Sequence, residues 1–180
     1  PWQFERCSGW QDDNIYIPIT CPDQGVGGYA GRRSGSLVSC TAGSWVKFSE
    51  PYHVQLPSLI ADIVSITKGR HIHIGNLPEG ILSGIRTALL ERGLDGESFQ
   101  HIGWVKSLWR SAHELGVDLY LSSFPLGGGR GLIEMLGAGI PIAFHANPTA
   151  PYMCGETFRY PDAICWSYVD QLLMALQGLN

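Results

Sequence analysis

The sequence predicts an α/β fold in which an open parallel sheet is covered by helices on both faces. From residue 36 onward, short apolar runs alternate strictly with segments whose apolar residues recur at helical spacing. The apolar runs are nearly continuous, as in strands that are buried on both faces. This order is typical of repeated βαβ units, and it predicts about six strands.

The first half of the pattern predicts three strands and three helices. The strands are expected at Leu37–Thr41, His71–Ile74 and His101–Val105. Each is followed by a helical stripe of apolar residues: Leu56, Leu59, Ile60, Ile63 and Val64; then Ile81, Leu82, Ile85, Ala88 and Leu89; then Leu108, Trp109, Ala112 and Leu115. Gly93 and Gly116 are placed to end the second and third helices.

The second half continues the alternation. Strands are expected at Val117–Leu121, Ile140–Phe144 and Ala163–Trp166. A fourth helix is expected over Gly131–Gly137. The last helix is marked by Val169, Leu172, Leu173 and Leu176.

Residues 1–35 differ in composition and are predicted to be a lead-in or inter-domain linker. Glycines cluster between residues 25 and 35 beside Arg32 and Arg33, and only Ile15–Ile19 suggests a strand. Residues 36–180 are predicted to form one domain. The start at Pro1 has neither an initiator Met nor the basic-then-apolar order of a signal peptide, so we expect a piece of a longer chain.

Composition excludes several classes of protein. The chain is 44% hydrophobic and 16% charged, with a net charge of -4 and no long basic run, which disfavours a nucleic-acid partner. No stretch approaches the roughly 18 apolar residues of a membrane span. The five cysteines form no C-x-x-C pair, which disfavours a zinc site or a disulfide framework. We therefore expect reduced thiols in a cytoplasmic protein.

The loop after the fourth strand is the most unusual segment. It runs from Ser122 to Gly131, and its glycines expose backbone N–H groups where the next helix begins. Such groups and the helix dipole suit a phosphate, which Arg130 could also bind. A flexible loop that only permits a tight turn is an equally open interpretation. Leu132 stands where the motif G-x-G-x-x-G needs its third glycine, which excludes that motif. No acidic residue follows at the spacing that would hold the ribose of NAD, and the G-K-S/T of a P-loop is absent.

Three further polar features allow two interpretations each. Glu134 faces either a ligand or solvent, where it would complement the helix dipole. His71 and His73 share one face of the second strand, and core or rim positions are favoured over a metal site. A Ser-His-Asp hydrolase is disfavoured, because no G-x-S-x-G elbow occurs.

Residues 117–144 resemble the donor-site segment of GT-B glycosyltransferases. Val-Asp-Leu-Tyr-Leu-Ser-Ser-Phe-Pro, a Gly-rich turn, and Leu-Ile-Glu-Met-Leu-Gly-Ala-Gly-Ile-Pro-Ile are similar to segments of the group 1 and O-GlcNAc-transferase-like branches. The resemblance is specific over about 30 residues and looser over residues 36–180. It implies a Rossmann-like domain, one half of a GT-B fold, that binds a nucleoside diphosphate sugar, expected to be a UDP-sugar.

The resemblance assigns roles to particular residues. Glu134 matches the acid that binds the nucleotide ribose, and Lys47 resembles the basic residue aimed at the diphosphate, with a solvated loop lysine as its alternative. Trp104 and Val105 fall where the base is bound, with an edge-of-core tryptophan as the alternative. The loop that meets the diphosphate and sugar comprises Gly127, Gly128, Gly129, Arg130 and Gly131.

Catalysis by this chain alone is not expected from the resemblance. Leu126 stands where group 1 enzymes carry an acid, which favours the O-GlcNAc-transferase-like branch or a divergent relative. The acceptor site and general base are expected in a missing N-terminal domain or in the cleft between the domains. Lys47, Arg130 and His145 are candidate contributors to catalysis. His145 ends the fifth strand at an edge expected to face the ligand, where contact with the sugar or diphosphate and a purely structural role are equally open. No metal or other cofactor is expected. The acceptor, whether sugar, lipid or protein, stays open. A non-catalytic nucleotide-binding module and a sugar-nucleotide epimerase remain alternatives.

Overall fold

The computed structural model describes residues 35–49, 52–150 and 155–179, which contain a six-stranded parallel sheet. The strands are paired in the order β3-β2-β1-β4-β5-β6. Their bounds are β1 Val38–Ala42, β2 Arg70–Ile74, β3 Phe99–Ile102, β4 Leu119–Leu121, β5 Ile142–His145 and β6 Cys165–Trp166. This order is that of a Rossmann-like sheet, so the predicted fold class is confirmed.

Within the described residues, five α-helices cover the two faces of the sheet. They are α1 Leu56–Thr67, α2 Glu79–Glu91, α3 Leu108–Glu114, α4 Gly129–Gly137 and α5 Val169–Gln177. Helices α1, α2 and α5 pack together on one face, whereas α3 and α4 pack on the other. Each face therefore has its own apolar core, as the continuous apolar strands predicted.

The predicted helix ends are confirmed at two glycines. Gly93 and Gly116 have φ values of +67° and +68°, in the left-handed region that side chains disfavour. Helix α4 begins at Gly129, two residues earlier than predicted, because the Gly-rich loop contributes its own last residues to the first turn.

The third strand was predicted wrongly. Strand β3 begins at Phe99 and ends at Ile102, whereas the prediction placed it at His101–Val105. Strand β3 is the edge of the sheet, and only Phe99 among its residues is buried. Residues 103–107 instead form the exposed loop that leads to α3. An edge strand needs no continuous apolar run, so the apolar pattern predicted the start of this strand two residues too far along the chain.

The other strands shift by at most two residues at either end. The predicted linker over residues 1–35 and the suggested strand Ile15–Ile19 fall on residues 1–34, outside the described residues, apart from Gly35. Among the described helices, none is long and apolar enough to span a membrane.

Candidate functional site

The order of the strands reverses between β1 and β4. The chain moves outward from β1 to β2 and β3, then returns to place β4 on the other side of β1. Loops that follow neighbouring strands on opposite sides of such a point separate and leave a crevice at the carboxyl edge of the sheet. The loops after β1 and β4 therefore border the expected ligand site.

Lys47 lies in the short helical turn Trp45–Phe48 that follows β1, and its ammonium group reaches the Gly-rich loop after β4. A Cβ atom built on Gly128 would lie only 2.6 Å from Lys47 Nζ. The side chain also passes close to Gly43, whose added Cβ would lie 3.0 Å from Lys47 Cδ. The structure thus brings together Lys47 and the Gly-rich loop, both of which the resemblance assigns to the diphosphate.

The ammonium group of Lys47 is partly buried, and burial lowers its pKa from the ordinary value. Within the described ranges it forms no ion pair with a carboxylate. A lysine that lies beside glycine backbone and has no acidic partner has its charge available for an anion. This placement favours the phosphate-facing interpretation of Lys47 over that of a solvated loop lysine.

The N-terminus of α4 supplies the second cationic element. Gly128 precedes the helix in an extended conformation with no side-chain cap, and Gly129 is the first helical residue. The first N–H groups of a helix have no partner within it, and they carry partial positive charge. Gly131 packs tightly there, because an added Cβ would lie 3.2 Å from Leu108 Cδ2 and 3.5 Å from the Tyr120 hydroxyl.

Glu134 lies one turn into α4 and is 8% exposed, so it is not the solvated first-turn acid of the alternative interpretation. The backbone N–H of Leu108 donates to Glu134 Oε2 at 3.2 Å, and Arg130 Nε donates to Oε1 at 3.3 Å. These two bonds leave part of the capacity of the carboxylate free, since an ionised carboxylate accepts about four. Burial, with Cys40 and Glu134 nearby, raises the pKa of the Tyr120 hydroxyl.

Trp104 is 86% exposed, which excludes the interpretation as an edge-of-core tryptophan. It lies with Val105 in the loop between β3 and α3, and Leu108 at the end of this loop donates to Glu134. The loop is therefore tied directly to the acid on α4. An exposed indole at this position is free to stack on a planar ligand.

His145 occupies a different environment from the expected one. Its position at the end of the fifth strand predicted an edge facing the ligand, but its side chain is fully buried. Its Nε2 lies 2.8 Å from the Tyr52 hydroxyl, and its ring packs against Phe124 and Trp166. Burial lowers the pKa of His145 to about 4. In this position it is a neutral core residue, and direct contact with a sugar or diphosphate is not supported.

His71 and His73 are core residues, as favoured from the sequence, and they form a buried chain of hydrogen bonds. His71 joins Ser39 Oγ at 2.8 Å and Thr41 Oγ1 at 2.9 Å, and Thr41 joins His73 at 2.9 Å. His73 Nε2 donates to the Gly43 carbonyl at 3.1 Å. A carbonyl only accepts, and a neutral imidazole carries a single N–H, so each bond has one direction. His73 donates to Gly43, Thr41 to His73, His71 to Thr41, and Ser39 to His71.

Both histidines in this series of hydrogen bonds, His71 and His73, are neutral. Burial lowers the pKa of His71 to about 3 and that of His73 to about 4, with the neighbouring imidazoles adding to the effect. Among the described residues, no group of three or more His, Cys, Asp or Glu side chains could hold a metal ion. This series of hydrogen bonds ends at the carbonyl of Gly43, beside Lys47, and so supports the turn that carries the lysine.

A separate cavity of about 260 Å³ opens at the opposite, amino-terminal edge of the sheet. Its lining includes Leu37, Asp118, Pro141 and Tyr160, and it is mostly apolar. Ligands of open α/β sheets bind outside the carboxyl ends of the strands. We therefore place the functional site at the edge that holds Lys47 and Glu134.

Two contacts of the site were not predicted from the sequence: the close approach of Gly43 to the Lys47 side chain, and the bond from the Leu108 N–H to Glu134. The position of Gly43 directly after β1 was a usable signal, because glycine admits the φ of +138° that turns the chain toward Lys47. No sequence signal indicated that the N–H of Leu108 would bind Glu134, since the two lie on different helices.

Comparisons with known proteins bear on the fold. No protein-family model matches the sequence, and no curated protein matches it. Among solved structures, the chain is similar to a mutant O-GlcNAc transferase from Thermobaculum terrenum, with a TM-score of 0.64 and 18% identity. The similarity covers 89% of this chain and 31% of that one, so the chain spans about a third of its neighbour's length. At this identity the likeness shows the α/β, Rossmann-like fold alone.

Proposed function

We propose that this chain is the donor-binding domain of a glycosyltransferase that transfers a sugar from a nucleoside diphosphate sugar, specifically a UDP-sugar, to an acceptor. The observation that carries the proposal is the convergence of Lys47 and Gly128 at the N-terminus of α4, with Glu134 one turn further. The acceptor, whether sugar, lipid or protein, would be bound with the help of a preceding domain of the parent protein.

The arrangement matches the order of groups in such a donor. The loop with Trp104 and Val105 would hold the base, and Glu134, linked to that loop through Leu108, would accept hydrogen bonds from the ribose hydroxyls. The amides at Gly128–Gly131 and the Lys47 ammonium would bind the diphosphate. Negative charge that develops on the departing diphosphate would be stabilised by the lysine and the helix dipole. Arg130 pairs with Glu134, so its role would be to orient that acid.

The first prediction concerns Glu134. Titration calorimetry of the chain with UDP, GDP, ADP and NAD is expected to show binding of UDP. Glu134→Gln keeps the shape of the side chain but removes its charge, so UDP affinity should fall about tenfold or more. The wild type should prefer UDP to 2′-deoxy-UDP, and the variant should bind the two alike. Glu134→Ala should weaken binding further.

Failure of all four nucleotides to bind the folded wild type would refute the donor-site proposal. A folded Glu134→Gln variant that still discriminates UDP from 2′-deoxy-UDP would remove Glu134 from the ribose site. Circular dichroism of each variant checks that a loss of binding does not come from unfolding.

The second prediction concerns Gly128. In Gly128→Ala the new methyl group would lie 2.6 Å from the Lys47 ammonium, too close for an ordinary contact. The flexible end of a lysine can move aside, so stability should change little while UDP affinity falls about tenfold. Gly96→Ala is the matched control, because nothing lies within 4 Å of an added Cβ there. Equal UDP affinity in both variants would argue against a phosphate site beside Gly128.

A non-catalytic nucleotide-binding module is the second candidate function. Leu126, at the position of an acid in similar group 1 enzymes, favours it. The full-length protein would then bind UDP but release none from UDP-sugars, whereas a transferase would release UDP when its acceptor is present.

A further inference from the structure

Ser123 carries a polar group that the fold does not explain. It lies just past the carboxyl end of β4 and is 1% exposed, yet its hydroxyl has no hydrogen-bond partner among the residues that the structure describes. Nearly all buried polar groups in native proteins are paired, because an unpaired one destabilises the fold. An unpaired hydroxyl at the ligand-binding edge indicates a partner that arrives with the ligand.

The hydroxyl borders the same small space as the Lys47 ammonium. A Cβ atom built on Gly128 would lie 3.3 Å from Ser123 Oγ and 2.6 Å from Lys47 Nζ. Any side chain at Gly128 would fill this space, so glycine keeps it open. A serine donor and a lysine donor therefore lie beside Gly128, the residue that directly precedes α4 and its first N–H groups.

The neighbouring serine shows the contrasting case. Ser122 Oγ accepts a hydrogen bond from the backbone N–H of His145 at 2.7 Å. Its hydroxyl holds β4 and the end of β5 together, and this role needs no ligand. Adjacent serines, both buried, thus differ in whether the fold itself satisfies them.

We infer that the Ser123 hydroxyl donates a hydrogen bond to a phosphate oxygen of the nucleoside diphosphate, beside the Lys47 ammonium and the N-terminal amides of α4. This inference rests on the proposed function and adds a binding residue to it. A neutral hydroxyl adds a directed bond without further charge, so it would orient the diphosphate that the lysine attracts. The unpaired hydroxyl lowers the stability of the free protein in exchange for affinity.

The test compares Ser123→Ala with Ser122→Ala in the full 180-residue chain. Ser123→Ala removes an unpaired buried hydroxyl, so the Tm without ligand should rise by about 3 °C, while UDP affinity falls about tenfold. Affinity for uridine, which has no phosphate, should not change. Ser122→Ala leaves the N–H of His145 unpaired, so its Tm should fall and its UDP affinity should stay as in the wild type.

Each result decides between the alternatives. A Ser123→Ala variant that binds UDP as tightly as the wild type overturns this inference and leaves the proposed function standing. A fall in the Tm of Ser123→Ala also overturns it, because the hydroxyl would then have a partner within the protein. Absence of UDP binding in the wild type overturns the proposed function and this inference together.

Discussion

Lowering the pH from 6.5 to 4.5 is expected to destabilise the folded chain by about 5 kcal/mol through His71 and His73 alone. The folded state holds the pKa of His71 at about 3 and that of His73 at about 4, below the ordinary value of 6.5. Both rings are fully buried, so the protonated form cannot be hydrated in place.

The sign of the effect follows from which state binds protons. Well above pH 6.5 both imidazoles are neutral in the folded and unfolded chains, and they impose no dependence on pH. As the pH falls below 6.5, the unfolded chain binds protons that the folded chain does not bind, so unfolding becomes more favourable. Each histidine contributes about 1.4 kcal/mol per pH unit until its folded pKa is reached. His145, with a folded pKa of about 4, acts in the same direction.

Urea unfolding at pH 7.5, 6.5, 5.5 and 4.5, followed by circular dichroism, measures this dependence. His71→Gln should be less stable than the wild type at pH 7.5, because it disturbs the bonds to Ser39 and Thr41. Its loss of stability with falling pH should nevertheless be shallower, by about 1.4 kcal/mol per pH unit. His53→Gln removes an exposed histidine and serves as the control. An unfolding free energy that does not change between pH 6.5 and 4.5 would contradict the claim that His71 and His73 are buried and neutral.

Much of the fold could be predicted from the sequence because its strands are buried on both faces. Burial on two sides requires nearly continuous apolar residues, as in β5, and such runs stand out between helical stripes. The helix ends at Gly93 and Gly116 were predictable for a local reason, since glycine adopts a left-handed φ more readily than residues with a Cβ atom do. Strand β3 was misplaced because an edge strand has no such requirement.

The candidate site was predictable in part. Glu134 and the loop before it carried a family resemblance, and the structure gives Lys47 a position beside Gly128 that agrees with it. Whether these residues bind a nucleotide stays a prediction. The pairing of His71 with Ser39 could not be predicted, because it depends on the register of β1 and β2. The same holds for Ser123, whose lack of a partner is visible only when its surroundings are known.

Gly75→Ala is expected to be the most damaging single substitution at the carboxyl edge of the sheet. Gly75 follows β2 with a φ of +135°, which side chains rarely adopt. A Cβ atom there would lie 2.1 Å from the Gly43 carbonyl oxygen and 2.8 Å from its carbon. Both atoms are backbone, so the clash can be relieved only by moving the loop after β1. Backbone strain and overpacking together should cost about 3 kcal/mol or more.

The displaced loop is the one that carries Lys47, so Gly75→Ala should lower UDP affinity as well as stability. Gly43 is held in place by its N–H, which donates to the Ile74 carbonyl, and by His73, which donates to its carbonyl. Both bonds would have to deform with the loop. Gly80→Ala in α2 is the matched control, since nothing lies within 4 Å of an added Cβ there and alanine favours a helix. Urea unfolding should therefore separate the two variants widely, and equal unfolding free energies would show that the close approach of Gly43 and Gly75 does not constrain the site.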